Sequence, residues 1–273
     1  MTLYNSPPAP LRKALSILDL AAMKQAGEKI SCLTAYDASF SAVLDKVGID
    51  VMLVGDSLGM VIQGAISTIP VTIEQIVYHC RCVTQAKHRA FVMADLPFLS
   101  YATPTMAIEN AAKLMQLGGV QMVKIEGSHL ETIRTLVKYG VPVCGHLGLL
   151  PQCINQLGSY QVRGREPLEA DKIISDAQKL EQAGIGLLVL ECVPASLAKK
   201  ISLLLKIPVI GIGAGVDCDG QVLVLYDMLG ISLGKRPRFS KNFMQGAESI
   251  EDAVARYQHQ VKTGVFPSEE HSY

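Results

Sequence analysis

The sequence predicts an α/β protein made of a single-domain, closed (β/α)8 barrel, the TIM-barrel architecture, and three observations support this prediction. Short runs of β-branched and apolar residues recur along the chain, with helical stretches between them. Most of these runs are apolar throughout, as is typical of parallel strands buried on both faces. Eight such units fit the roughly 250 residues that a barrel of this kind occupies. A doubly wound open sheet is the alternative, because a strand count taken from sequence is accurate only to one or two strands.

The elements follow one another regularly after residues 1–29, which we assign to an N-terminal arm and a leading helix. The barrel domain is expected to cover residues 30–273, because no Gly/Ser-rich linker divides it. Its predicted strands are residues 30–35, 49–54, 90–94, 120–126, 141–146, 186–191, 207–212 and 222–225.

Helix boundaries are marked between several of these strands. Thr72, with Gln75 three residues later, has the pattern of a capping box. Thr103 followed by Pro104 suits an N-cap and the first helical position. Gly184 is expected to end a helix that begins near residue 167. Each signal places a helix between two predicted strands, as the barrel requires.

The composition describes a folded chain without a net charge. Of 273 residues, 49% are hydrophobic, and 25 Lys and Arg residues balance 25 Asp and Glu residues. We therefore expect neither nucleic acid nor a membrane as a partner, and no apolar run reaches the about 20 residues of a membrane span. We expect no signal peptide, and the seven cysteines show no zinc-site spacing. A reduced, cytoplasmic protein is the expectation.

Ionisable side chains lie at the ends of five consecutive predicted strands. They are Asp56, Asp95, Lys124 with Glu126, His146 and Glu191. In a parallel barrel these ends share one face, where barrel active sites are built. One such residue is commonly a helix N-cap or half of a surface ion pair, but five in succession favour convergence at one site.

Three of these residues, Asp56, Asp95 and Glu126, are carboxylates that would repel one another unless they share protons or hold a cation. A ligand set of oxygens alone suits Mg²⁺. Separate salt bridges are the alternative, for example with Lys124. Lys124 lies on the same side of its strand as Glu126 and either balances the acids or forms a Schiff base. The three carboxylates favour the metal.

His146 and Glu191 each allow two interpretations. His146 is either a structural, hydrogen-bonded histidine or part of the site. Glu191 follows an apolar strand, where partial desolvation would raise its pKa toward that of a general base, or it forms an ion pair with a loop Lys or Arg. The glycine-rich residues 211–215 lack the dinucleotide fingerprint, because Val216 stands where that pattern needs Gly. They are expected to turn tightly beneath a ligand or to bind an anion.

Several segments together resemble the ketopantoate hydroxymethyltransferase (3-methyl-2-oxobutanoate hydroxymethyltransferase) family. They occur in collinear order: VMLVGDSLGM at 51–60, MADLPF at 93–98, VKIEG at 123–127, CGHLG at 144–148, LECVP at 190–194, IGIGAG at 210–215, CDGQ at 218–221, FP at 266–267 and EH at 270–271. Ser128 departs from the pattern, since a second glycine often follows VKIEG in the family. Each string is short, but the set is specific.

The resemblance implies a barrel of the phosphoenolpyruvate/pyruvate type. It also implies transfer of a hydroxymethyl group from 5,10-methylenetetrahydrofolate to 3-methyl-2-oxobutanoate, which gives ketopantoate in pantothenate biosynthesis. A Mg²⁺-stabilised enolate would be the intermediate. Members form homo-oligomers, commonly decamers, so we expect a homo-oligomer here.

The resemblance also assigns roles to residues. It implies Mg²⁺ ligands at Asp56, Asp95 and Glu126, and a proton acceptor at Glu191. Keto-acid contacts are implied for Ser57, Asp95 and Lys124, and we add Asp56 and His146 to the expected substrate-binding residues. Two rival hypotheses are a metal-dependent aldolase or lyase that works without folate, and a non-catalytic barrel that serves as an assembly subunit.

Overall fold

The computed structural model describes residues 13–234 and 236–273, and it shows a closed barrel of eight parallel strands. The strands are β1 Ile30–Thr34, β2 Val51–Val54, β3 Phe91–Asp95, β4 Met122–Glu126, β5 Val143–Gly148, β6 Leu187–Glu191, β7 Val209–Ile212 and β8 Gly220–Leu223. Each strand pairs with the next, and β1 pairs with β8, which excludes the open sheet. The predicted arm at residues 1–12 lies outside the described residues.

Helices surround the barrel and connect its strands. They are α1 Ile17–Gln25, α2 Ala38–Val47, α3 Leu58–Val61, α4 Ile73–Thr84, α5 Pro104–Ala112, α6 Leu130–Lys138, α7 Ile154–Leu157, α8 Pro167–Ala183, α9 Ala195–Leu204, α10 Leu225–Leu229 and α11 Ile250–Lys262. A π-helical turn at Lys113–Leu117 continues α5, and 3₁₀ turns lie at Pro151–Cys153 and Glu269–His271. In the described part of the chain, no helix combines the length and apolar character that crossing a membrane requires.

The predicted helix boundaries are confirmed. Thr72 and Gln75 form both bonds of the capping box at the start of α4. The Thr103 side chain accepts from the backbone N–H of the third residue of α5, which begins with Pro104. Gly184 ends α8 with a φ of 98°, a left-handed conformation that glycine adopts without strain.

Apolar side chains form one core layer between strands and helices and another inside the barrel. Leu20 and Met23 of α1 belong to the inner cluster together with Phe91 of β3. The N–H of Leu15 donates to the carbonyl of Arg89, just before β3, over 2.8 Å. The leading helix therefore packs against the end of the barrel opposite the strand carboxyl ends. The division of the chain at residue 29 stays a prediction.

The strand boundaries differ from the predicted ones by one or two residues, and the differences at β8 and β5 are the most informative. β8 begins at Gly220, two residues earlier than predicted. The prediction missed this start because a glycine gives no apolar signal, and glycine is required there by a close approach between strands. A Cβ at Gly220 would lie 2.3 Å from the carbonyl oxygen of Ile30. β5 continues to Gly148, so His146 lies within the strand and the prediction that it ends the strand is wrong.

The buried residue Asp50, which directly precedes β2, forms ion pairs with two cations. Asp50 is fully buried and lies 2.9 Å from Arg89 Nη2 and 2.7 Å from Lys262 Nζ. It also accepts hydrogen bonds from the backbone N–H and the hydroxyl of Ser31, each over 2.9 Å. Asp50 thus joins β1, the start of β3 and the end of α11.

Candidate active site

A cavity of about 790 Å³ opens at the carboxyl ends of the strands. The seven residues predicted from sequence all line it: Asp56, Ser57, Asp95, Lys124, Glu126, His146 and Glu191. Because barrel strands are parallel, residues more than a hundred positions apart meet at this mouth. The structure therefore brings the seven side chains together, while their individual roles stay predictions.

Lys124 of β4 and Asp95 of β3 form the closest ion pair of the site. Lys124 Nζ lies 2.5 Å from Asp95 Oδ1, and both side chains are buried. Burial opposes the charge on Lys124, but the carboxylates around it, first of all Asp95, outweigh burial and raise its pKa. An ammonium held in its charged form is a poor nucleophile, so this environment favours charge balance over a Schiff base.

Asp56 lies beside Asp95, just after β2. Its backbone N–H donates to Asp95 Oδ2 over 2.9 Å. Burial raises the pKa of Asp56 well above its ordinary value, and the negative charges of Asp95 and Glu126 add to that effect. The next residue, Ser57, shares a hydrogen bond of 2.8 Å with the hydroxyl of Tyr36.

Gln152 is a site residue that the sequence did not indicate. Its side-chain amide donates to Asp56 Oδ2 over 2.8 Å, and its backbone N–H donates to Glu126 Oε2 over 3.1 Å. Its own amide oxygen accepts from the hydroxyl of Tyr101 over 2.6 Å. Gln152 thus ties two of the three predicted ligands together. It lies four residues beyond the CGHLG string, at a position that no motif marks.

His146 lies between two carboxylates. Nδ1 is 3.4 Å from Glu126 Oε1, and Nε2 is 3.3 Å from Glu191 Oε2. Neither nitrogen has a hydrogen-bond partner of good geometry, so these contacts are ion pairs. Burial and the charge of Lys124 oppose protonation, but the two carboxylates prevail and raise the pKa of His146 to about 9.

Glu126 and Glu191 differ in their surroundings. Burial works to raise the pKa of Glu126, but the positive charges of His146 and Lys124 outweigh it and lower the pKa. Glu191 keeps 15% of its side chain exposed, whereas His146 keeps 2%. The structure pairs Glu191 with His146 rather than with a loop Lys or Arg.

The glycine-rich loop after β7 turns tightly, as predicted. Gly213 and Gly215 both have positive φ angles, of 60° and 81°. A Cβ at Gly213 would lie 3.0 Å from both Phe239 and Tyr273, and a Cβ at Gly215 would lie 2.5 Å from that of Ala195. The glycines are therefore explained by close packing of the segments that cover the barrel mouth.

The predicted metal ligands Asp56, Asp95 and Glu126 supply oxygen donors, which suit Mg²⁺. The raised pKa of Asp56 reflects an excess of negative charge that a dication would relieve. Within residues 13–234 and 236–273, no group of three or more His, Cys, Asp or Glu side chains is arranged to hold a metal ion. The donor chemistry thus fits a Mg²⁺ ion with few direct protein ligands, which retains water or substrate in its other positions.

Comparisons with known proteins connect this site to a family. The family model described as ketopantoate hydroxymethyltransferase matches residues 14–269. The chain is 54% identical to the 3-methyl-2-oxobutanoate hydroxymethyltransferase of Alkalilimnicola ehrlichii, over 99% of each chain. It is 55% identical to the protein of that name from Nitrosococcus oceani, over 95% of this chain and 99% of the relative.

A solved structure of much lower identity shares the barrel fold. The phosphoenolpyruvate phosphomutase of Streptomyces platensis subsp. rosaceus is 11% identical, with a TM-score of 0.59 over 79% of this chain and 83% of the other. At that identity the likeness shows the fold alone. The family model, in contrast, covers most of this sequence, and its match agrees with the motifs found along the chain. The chain therefore belongs to the ketopantoate hydroxymethyltransferase family.

Proposed function

We propose that this chain is a 3-methyl-2-oxobutanoate hydroxymethyltransferase of pantothenate biosynthesis. It would transfer the one-carbon unit of 5,10-methylenetetrahydrofolate to C3 of 3-methyl-2-oxobutanoate, with uptake of water, and release ketopantoate and tetrahydrofolate. The observation that carries this proposal is the nearly full-length match to enzymes of that name. The set of charged groups at the barrel mouth supports it.

The keto acid would bind beside a Mg²⁺ ion that Asp56, Asp95 and Glu126 would hold, in part through water molecules. When bound, that ion would draw electron density from the keto and carboxylate oxygens and so acidify the C3 proton. The charged ammonium of Lys124 balances Asp95 and lies where it can attract the substrate carboxylate. The hydroxyl of Ser57, oriented by Tyr36, provides a further polar contact.

Glu191 would remove the C3 proton. It is the last residue of β6, and its side chain is more exposed to the cavity than those of its charged neighbours. His146 Nε2 lies 3.3 Å from one of its oxygens, and this ion pair would help to orient the carboxylate. A positioned base of this kind accelerates proton transfer by about 10²–10⁴-fold. The electron pair left at C3 would then form the new bond to the one-carbon unit. The bonds from that carbon to the two folate nitrogens break, water supplies the hydroxyl group, and the nitrogens take up the remaining protons.

Product analysis of the purified chain tests the proposal. With Mg²⁺, 3-methyl-2-oxobutanoate and 5,10-methylenetetrahydrofolate, we expect ketopantoate and tetrahydrofolate in equal amounts. A chelator should stop the reaction, and added Mg²⁺ should restore it. Full turnover in metal-stripped protein would contradict the metal site. Consumption of the keto acid without folate would instead indicate an aldolase or lyase.

We also propose that the chain works in the cytoplasm as a homo-oligomer, with a decamer as the expected size. Large apolar side chains on the outer helices support an oligomer, since Leu168 on α8 is 86% exposed and Leu203 on α9 is 79% exposed. Light scattering measures the particle mass directly. A particle with the 29.4 kDa mass of one chain would contradict the proposal.

A further inference from the structure

The active-site cavity is larger than a small keto acid requires. Its volume of about 790 Å³ is within the range that holds a drug-sized molecule. The charged groups described above lie on β2 to β6 and the loops that follow them. Another part of the wall comes from the segment after β8 and from the chain end, and it is largely apolar: Leu233, Pro237, Phe239 and Tyr273.

A second cavity of about 370 Å³ lies next to that apolar wall. We call it the basic groove and define it by Arg236, Arg238 and Lys241, which line it. Pro237 lines both cavities, so the groove and the active-site cavity are neighbours on either side of this residue. The lining is apolar on the active-site side of Pro237 and cationic on the groove side.

Two of the three cations of the basic groove bond to neutral partners. Arg238 Nε donates to the backbone carbonyl of Glu270 over 3.0 Å, and Lys241 Nζ donates to the amide oxygen of Gln260 over 3.0 Å. Across the described part of the chain, neither they nor Arg236 form an ion pair with a carboxylate within 4.0 Å.

The other ionisable groups of the basic groove leave it with net positive charge. Glu270 is the one acid among its lining residues, and its Oε1 lies 3.7 Å from His271 Nε2. Burial lowers the pKa of His271, so the imidazole is mostly neutral near pH 7. Three cations and one carboxylate therefore face the groove. The chain as a whole has no net charge, so this is a local excess.

We propose that the basic groove binds the glutamate tail of the folate co-substrate while its ring system occupies the apolar part of the active-site cavity. This inference rests on the proposed function. The one-carbon unit is carried at the ring end of the folate, so that end has to lie beside C3 of the keto acid. The tail, which carries the carboxylates, then has to leave the cavity. The groove beyond Pro237 offers it cations in place of an apolar wall.

The proposal predicts how affinity depends on the tail. Each added glutamate brings another carboxylate, and exposed ion pairs are individually weak. Three cations engaged by a pentaglutamate should together make it bind about tenfold more tightly than the monoglutamate. High salt should reduce this preference, because the cations are exposed and their attraction is screened.

Calorimetric titration of the full chain with tetrahydrofolate monoglutamate and pentaglutamate, in the presence of keto acid and Mg²⁺, tests this. In the double variant Arg236→Gln, Arg238→Gln, which leaves Lys241 in place, the preference for pentaglutamate should fall from about tenfold to about twofold. The matched control is the double variant Arg134→Gln, Lys138→Gln, which removes the same charge from α6 on the outside of the barrel. It should keep the wild-type preference. Melting curves check that both variants are folded.

Three outcomes separate the inference from the proposed function. If the wild type binds both folates equally, or if the groove variant keeps the full preference, the role of the basic groove is overturned while the proposed function stands. If the wild type binds neither folate, folate is not the co-substrate and both proposals fail. A preference that falls in the groove variant alone supports the assignment.

Discussion

The substitution Gln152→Leu tests whether the loop after β5 organises the site. In the wild type, the side-chain amide donates to Asp56 Oδ2 over 2.8 Å and to the carbonyl of Leu96 over 3.1 Å. Its oxygen accepts from Tyr101 over 2.6 Å. Leucine has a similar volume and keeps the backbone N–H that binds Glu126, so the change removes only these three bonds.

The expected magnitudes follow from those bonds. A buried bond to a charged group contributes about 1.5–3 kcal/mol and each neutral one about 1 kcal/mol, so the free energy of unfolding should fall by about 3–5 kcal/mol. Loss of a group that orients a metal ligand typically weakens metal binding by about 10–100-fold. We therefore expect weaker Mg²⁺ binding in the presence of keto acid, measured by calorimetry, in addition to a lower melting temperature.

A second buried glutamine separates the two effects. Gln221 of β8 is buried and donates to the carbonyl of Gly215 over 2.9 Å, so its side chain, unlike that of Gln152, bonds to a backbone carbonyl and not to a predicted metal ligand. Gln221→Leu should lower stability and leave Mg²⁺ affinity unchanged. If Gln152→Leu also leaves Mg²⁺ affinity unchanged, Gln152 is a structural residue and the reasoning about the site is refuted.

Three further predictions concern the buried charges. Asp50→Ala should reduce the free energy of unfolding, measured by urea denaturation, by about 3–5 kcal/mol, because it leaves Arg89 and Lys262 without their buried partner. The exposed control Asp171→Ala should change this free energy by less than about 0.5 kcal/mol. Borohydride with keto acid should leave no adduct on Lys124 by mass spectrometry, since its raised pKa keeps the amine protonated; a trapped adduct would establish a Schiff base. In metal-free protein, the raised pKa of His146 stabilises the fold fully below pH 6.5, and this contribution is lost as pH rises through about 9. Urea unfolding across that range should show the loss in the wild type, and an equal loss in His146→Gln would contradict the assignment.

The barrel could be predicted from sequence because the strands are buried on both faces and are therefore apolar throughout. The same reasoning failed at β8, where Gly220 and Gln221 give no apolar signal. Glycine is present there because the neighbouring backbone of Ile30 leaves no room for a side chain. Strand boundaries set by such contacts depend on the three-dimensional packing.

The charged residues of the site could be predicted because a parallel barrel brings all strand carboxyl ends to one face. Which groups pair could not be predicted. The bond between Gln152 and Asp56 joins residues 96 positions apart, and it forms only because the loop after β5 folds back over β2. In the same way, the alternative to a general base at Glu191 is an ion pair with a loop Lys or Arg, but in the structure Glu191 lies against His146.

Deuterium exchange at C3 of 3-methyl-2-oxobutanoate tests most directly whether Glu191 is the base. The measurement uses D₂O with Mg²⁺ and without folate, and NMR follows the C3 proton signal. Wild-type protein should exchange this hydrogen, and so should Glu131→Gln, a matched change on the exposed face of α6. Glu191→Gln should still bind the keto acid but exchange about 10²–10⁴-fold more slowly. Unchanged exchange in folded Glu191→Gln protein would contradict the account.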